Sequence, residues 1–109
     1  MRIRRSKYNN RKTSVNGYLF DSAKEAKRYR ELALMEKAKE IHNLKLQPEW
    51  DFKINGDKMF TYVADFSYET TVGRFCFFHV EDVKGFKTPV YRLKKKIIEA
   101  CHGIKIVEI

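Results

Sequence analysis

The stretch FCFFHVEDVKG, residues 75–85, opens as a sheet strand and then changes character. Phe75, Phe77, Phe78 and Val80 suit a sheet interior, but Glu81, Asp82 and Lys84 follow at once and Gly85 ends the run. Burying a charged side chain without a partner is costly, so a core strand carries such residues only where they have a use. Alternation puts Asp82 and Lys84 on the face of Val80 and Phe78, and Glu81 with His79 on the other. Phe75 to Val80 is accordingly expected to build the core, with Asp82 and Lys84 emerging at its end.

Working outward, MFTYVADFSYET (59–70) reads as a second strand, joined to the first through a turn at Val72-Gly73. Pairing these two as a hairpin brings Asp65 near Asp82, although a slip of one residue would reverse the faces. Further upstream, LKLQPEWDFKI (44–54) reads as a strand that Pro48 interrupts, which predicts an edge or a bulge. Asn55-Gly56-Asp57 turns from it into the next strand. The run from Asp21 to about Glu40 lacks Gly and Pro and is rich in Ala, Leu, Glu and Lys, so it predicts a helix. Before it, TSV-NG-YLF (13–20) predicts a hairpin on a type I′ turn. Thr88-Pro89 sets an N-cap and first helical position for a helix that stops at Gly103, and IKIVEI finishes as a strand. The order is helix, three strands, helix, strand. It predicts one α/β domain with a mixed sheet over residues 13–109, preceded by a basic arm over 1–12.

The chain of 109 residues carries a formal net charge of +9. Such a balance is common in proteins that touch nucleic acid, and a membrane surface or an acidic protein would fit it too. No run approaches the length of a membrane span, and the basic start lacks the apolar stretch of a secretory signal. A cytoplasmic location follows as the expectation, with Cys76 and Cys101 as buried thiols of a reducing compartment. The scattered glycines form no phosphate-cradling loop, the two cysteines and three histidines show no zinc spacing, and no Ser or Cys nucleophile has an evident base.

What remains is the charged cluster. Two carboxylates side by side suit a hard cation such as Mg²⁺, with waters and a substrate phosphate completing its shell. A lysine beside them can orient the attacking water or stabilise charge on the phosphate oxygens. The plainer reading of Asp82 and Lys84 is an ion pair at a solvated strand end. Asp65, flanked by Val63, Ala64 and Phe66, makes it less natural that both acids are incidental.

Asp65 followed by Asp82-Val83-Lys84 on the next strand resembles the PD-(D/E)XK signature of restriction-endonuclease-like nucleases. Ala64 stands where that signature has proline. The resemblance spans roughly Asn16 to Ile109. FDSxxEA, LQP, ADF, EDVKG and TPxYxxKxK together are similar to short phage-borne members, and the plan is similar to Holliday-junction resolvases. It implies an αβββαβ core with a mixed sheet flanked by helices. It also implies Mg²⁺ (or Mn²⁺) held by Asp65 and Asp82, Lys84 serving the nucleophilic water, and Glu25 on the first helix completing the metal site. Glu25 has a second reading, because Ser22-Ala23-Lys24-Glu25 is a capping box.

The expected activity is therefore metal-dependent DNA endonuclease, acting on branched or duplex DNA as a homodimer inside the host cell, with no small-molecule cofactor. The alternative is a non-catalytic nucleic-acid-binding protein on a nuclease fold. Arg4, Arg5, Lys7, Arg11 and Lys12 of the arm, Gln47, and Arg92, Lys95 and Lys96 of the second helix are the candidate DNA contacts. On that helix Val90, Leu93, Ile97 and Cys101 are expected to form the apolar stripe. Glu81 is expected to pair with a surface lysine, His79 to pack, and His42 and His102 to sit at helix ends.

Overall fold

The structure, a computed structural model, describes residues 12–109. Of the basic arm, Arg4, Arg5, Lys7 and Arg11 therefore lie outside the described residues, while Lys12 is exposed. The chain divides into two compact units at Glu40 and Ile41.

In the first unit, β1 (Thr13–Val15) and β2 (Tyr18–Phe20) pair antiparallel. Asn16 (φ 51°) and Gly17 (φ 82°) both take the left-handed conformation that a type I′ turn demands. Helix α1 (Ala23–Lys37) follows, three residues short of the expected end. Ser22 caps it, its hydroxyl accepting from the Glu25 N–H at 3.1 Å. The rings of Tyr18, Phe20 and Tyr29 pack together at centroid distances of 5.1–6.5 Å and tie the hairpin to the helix.

The second unit holds β3 (His42–Leu46), β4 (Glu49–Ile54), β5 (Asp57–Val63), β6 (Phe66–Val72), β7 (Phe75–Asp82), α2 (Pro89–His102) and β8 (Ile106–Glu108). The mixed sheet runs β3-β6-β7-β8, antiparallel except for the β7–β8 pair, and β4-β5 form a separate antiparallel ribbon. The expected αβββαβ order is present, with the first two of its three strands each broken in two. Both breaks have one cause. Pro48 offers no N–H to a ladder and Gln47 is left-handed (φ 55°), so the first strand bends there. Its partner bends opposite, between Val63 and Phe66, and two backbone bonds close the joint: Gln47 N–H to the Asp65 carbonyl (2.9 Å) and Ala64 N–H to the Pro48 carbonyl (3.0 Å).

Tyr62, Ala64, Val80, Ile98 and Ile106 form the core of this unit, with Trp50, Phe52, Phe60, Tyr91 and Ile104 packed around it. Thr88 caps α2, its hydroxyl accepting from the Tyr91 N–H at 3.0 Å, and Gly103 (φ 64°) ends it in the left-handed conformation. Near its end Glu99 accepts the Ile106 N–H at 2.8 Å, fixing where β8 begins.

Several expectations need correction. The buried residue of α2 is Ile98, and Val90, Leu93 and Cys101 of the expected stripe are exposed. The helix is rotated so that Tyr91, Lys94, Lys95 and Ile98 face inward, the lysines through their aliphatic stems; the Lys94 ammonium lies 5.2 Å above the Phe60 ring. Cys76 and Cys101 are free and exposed, not buried. Phe75, Phe77 and Phe78 are 71, 49 and 54% exposed, so the core part of β7 begins only at Val80. That is also where β8 pairs with β7, over Val80–Asp82, and where Ile98 and Ile106 pack on Val80. His42 heads a strand, not a helix end, whereas His102 does end α2. His79 packs as expected, stacked on Tyr68 at 4.9 Å. Glu81, expected at the surface, is 3% exposed and accepts from the Tyr68 hydroxyl at 2.5 Å.

Candidate metal-binding acid pair

Asp65 and Asp82 meet where the strand break and the end of β7 coincide. Register places Phe66 opposite Glu81, so the next pair along is Asp65 and Asp82. At the bend the Asp65 N–H points to β7. There it bonds the Glu81 carbonyl (3.1 Å) and Asp82 Oδ1 (3.2 Å). In return Asp65 Oδ2 accepts the Val83 N–H at 2.7 Å. Each acid thus receives a backbone donor from the other's strand, which holds the two carboxylates side by side. The Asp82 carbonyl is satisfied in turn by the Ile109 N–H at 2.8 Å.

Both acids are buried, Asp82 completely and Asp65 to 6% exposure. The Tyr62 hydroxyl donates to Asp82 Oδ2. Burial pushes the Asp82 carboxyl above its ordinary range, and Tyr62, Lys84, the Asp65 N–H and Lys95 pull the other way without cancelling it. Burial, then the bond to Asp82, pushes the Tyr62 hydroxyl well up, so it is a donor at all physiological pH. The donor set is all oxygen and comes from two adjacent carboxylates. That chemistry fits a hard divalent cation.

Lys84 lies two residues past Asp82, half-buried, with its ammonium 5.1 Å above the Tyr91 ring. Tyr91 stacks on Tyr62 at 6.3 Å and donates to Glu108 Oε2 at 2.8 Å. Burial first, and that bond second, push the Tyr91 hydroxyl up. Glu108 in turn holds Lys87 (3.4 Å) and Lys95 (3.6 Å), and its carboxyl is held below the ordinary range, first by the Tyr91 bond. A relay of side chains therefore runs from Asp82 through Tyr62, Tyr91 and Glu108 to the lysines. Beside it Lys87, Arg92, Lys95 and Lys96 line an open pocket with Glu99 and Glu108.

The structure thus brings Asp65, Asp82 and Lys84 together and sets three expected DNA contacts, Arg92, Lys95 and Lys96, around one pocket. Of these, Lys95 is the inward one, committed to Glu108. Gln47 is half-buried and reaches the pair through its backbone, at the joint with Asp65. Glu25 belongs to the first unit, where it is buried in the first turn of α1. Sequence reading assigned no role to Tyr62, Tyr91, Lys87 or Glu108. Tyr62, three residues before Asp65, offered no signal, since a strand tyrosine usually means packing. Glu108 did offer one, as the only acid in the final apolar strand.

A family match covers residues 5–105, and the chain belongs to that family, DUF1064, described as a protein of unknown function. No curated protein and no solved structure matches the chain.

Proposed function

We propose that this DUF1064 member is a metal-dependent DNA endonuclease whose chemistry centres on Asp65 and Asp82. The observation that carries the reading is the reciprocal pairing of two buried carboxylates at the strand break, with a lysine two residues beyond. A fold with no use for that arrangement would be easier to build with apolar residues there. Asp65 and Asp82 would hold a Mg²⁺ or Mn²⁺ ion, and the ion would polarise the scissile phosphate and acidify a bound water. Tyr62 and the Asp65 N–H orient the Asp82 carboxylate. Lys84, braced on Tyr91, supplies positive charge for the attacking water or the developing phosphorane oxygens. Lys87, Arg92 and Lys96 give the backbone phosphates a basic path beside the acids.

The same reading extends to the substrate. Lys87, Arg92, Lys95 and Lys96 around one pocket suit phosphate contacts rather than base contacts, so the proposed recognition is of DNA shape, as in branched or junction intermediates. Cutting two strands would take two copies, hence a homodimer. A phage-associated role inside a host cell belongs to the same proposal.

One observation favours a second reading. Asp82 is sealed from solvent and both its oxygens already accept protein donors, as befits a carboxylate that only braces the fold. On that reading the basic pocket binds nucleic acid without cutting it. End-labelled four-way junction, nicked and linear duplex, and single strands, incubated with Mg²⁺, Mn²⁺ or EDTA, separate the two. Metal-dependent cleavage that Asp82→Asn abolishes supports the nuclease, and Glu25→Gln in the same assay tests whether that residue is more than a helix-start acid. Tight binding without cleavage, unchanged by Asp82→Asn, supports the binding protein.

A further inference from the structure

We infer that His42, Glu69 and Cys76 form a binding site for a zinc-class divalent ion, separate from the acid pair. The three residues lie far apart in sequence and come from three neighbouring strands, β3, β6 and β7. Register sets His42 opposite Glu69, and Cys76 opposite Thr71, which is diagonal to Glu69 on the same face. One potential ligand atom from each lies within 4.8 Å of the other two. The Cys76 sulfur is 3.3 Å from Glu69 Oε1 and 4.0 Å from His42 Nε2. Tetrahedral zinc with bonds of about 2.0–2.3 Å puts its ligand atoms about 3.5 Å apart, between those two distances.

A local irregularity creates the cluster. The β3–β6 register shifts between His42 and Lys45, and Asn43 takes a left-handed φ of 54° inside that bulge. The bulge sets His42 across from Glu69, and the Asn43 amide donates to Glu69 Oε2. The carboxylate is thereby oriented with Oε1 toward the thiol, as an outer hydrogen bond orients a metal ligand. Cys76 and His42 are exposed, so neither is needed to fill a core. A thiol, an imidazole and a carboxylate together favour zinc over Mg²⁺, whose preference is for oxygen alone. On binding, the sulfur–metal bond forms as the Cys76 thiol proton leaves to solvent. Cys76 and Asp82 are six residues apart on β7, about 20 Å at strand rise, so one ion cannot serve both.

The test is Co²⁺ titration of the reduced, chelator-stripped full chain, read by absorption and then displaced with Zn²⁺. One thiolate-bound Co²⁺ per chain is expected, counted from a thiolate-to-cobalt band that equimolar Zn²⁺ removes and excess Mg²⁺ does not. Cys76→Ser, nearly isosteric, should abolish the band. His42→Ala and Glu69→Gln should each weaken binding at least about tenfold, with Cys101→Ser unchanged. Absence of the band, its loss in Cys101→Ser instead, or one ion shared between two chains would overturn the site.

Discussion

The two halves of β7 invert the usual rule. Its first half, Phe75 to Phe78, is aromatic and exposed, while its second half carries Glu81 and Asp82 and is buried. Both halves pair with β6 in continuous register. What separates them is the other edge. β8 runs parallel to Val80–Asp82 and stops, and Ile98 and Ile106 close the core over Val80 only. Burial here follows from what covers a strand, not from the hydrophobicity of the strand itself. Acids enter the covered half because donors meet them there: the Asp65 N–H and Tyr62 for Asp82, Tyr68 for Glu81.

That contrast can be broken at four places. The largest effect is expected at the acids. Asp65→Asn and Asp82→Asn should each lower Mg²⁺-dependent cleavage by about 10³-fold, measured on labelled junction or duplex DNA. Any change at Phe75 should leave the rate near wild type. Next comes packing. Ile98→Ala should cost about 2–5 kcal/mol of unfolding free energy, while Phe75→Ala should stay within about 0.5 kcal/mol, both read from denaturant melts. Equal costs would mean that the two halves do not differ as described.

A smaller effect is expected from Tyr62→Phe. The Tyr62 hydroxyl is the largest influence pulling the Asp82 carboxyl down, so its loss raises that carboxyl further. The acidic limb of the pH–rate profile should move to higher pH, and an unmoved limb would separate Tyr62 from the chemistry. The smallest effect concerns stability. A carboxyl raised by folding makes the native state bind a proton that the unfolded state has released. Its unfavourable contribution is absent below the unfolded value and grows as pH rises toward the folded one. Asp82→Asn should therefore melt no lower than wild type at neutral pH, and its relative standing should decline on acidification. A melting point that falls only at neutral pH would reverse the sign.

Much of this was legible in the residues themselves. Asn16-Gly17, Ser22, Thr88-Pro89 and Gly103 act through local conformation, so each performs in the fold as its chemistry dictates. Pro48 announced a break, and the length of the hairpin arms around Val72-Gly73 was enough to bring Asp65 to Asp82. Tertiary cover was not legible. The phase of α2 is set by Tyr91 and Ile98 against the core, and a competing stripe of Val90, Leu93 and Ile97 is equally periodic in sequence. The exposure of Phe75 to Phe78 reflects where the rest of the chain packs, which lies at Val80 and beyond. The meeting of His42, Glu69 and Cys76 depends on one bulged residue, which no spacing encodes.

The most direct measurement is a Mg²⁺ titration followed through the backbone amide resonances of the ¹⁵N-labelled chain. The amides of Asp65 and Val83 donate to the two carboxylates and so report on them individually. Saturable shifts concentrated at Asp65 and Val83, and absent in Asp82→Asn, are what a metal-binding acid pair predicts. Amides that stay still at Asp65 and Val83 while others move, or shifts that persist in Asp82→Asn, would contradict it.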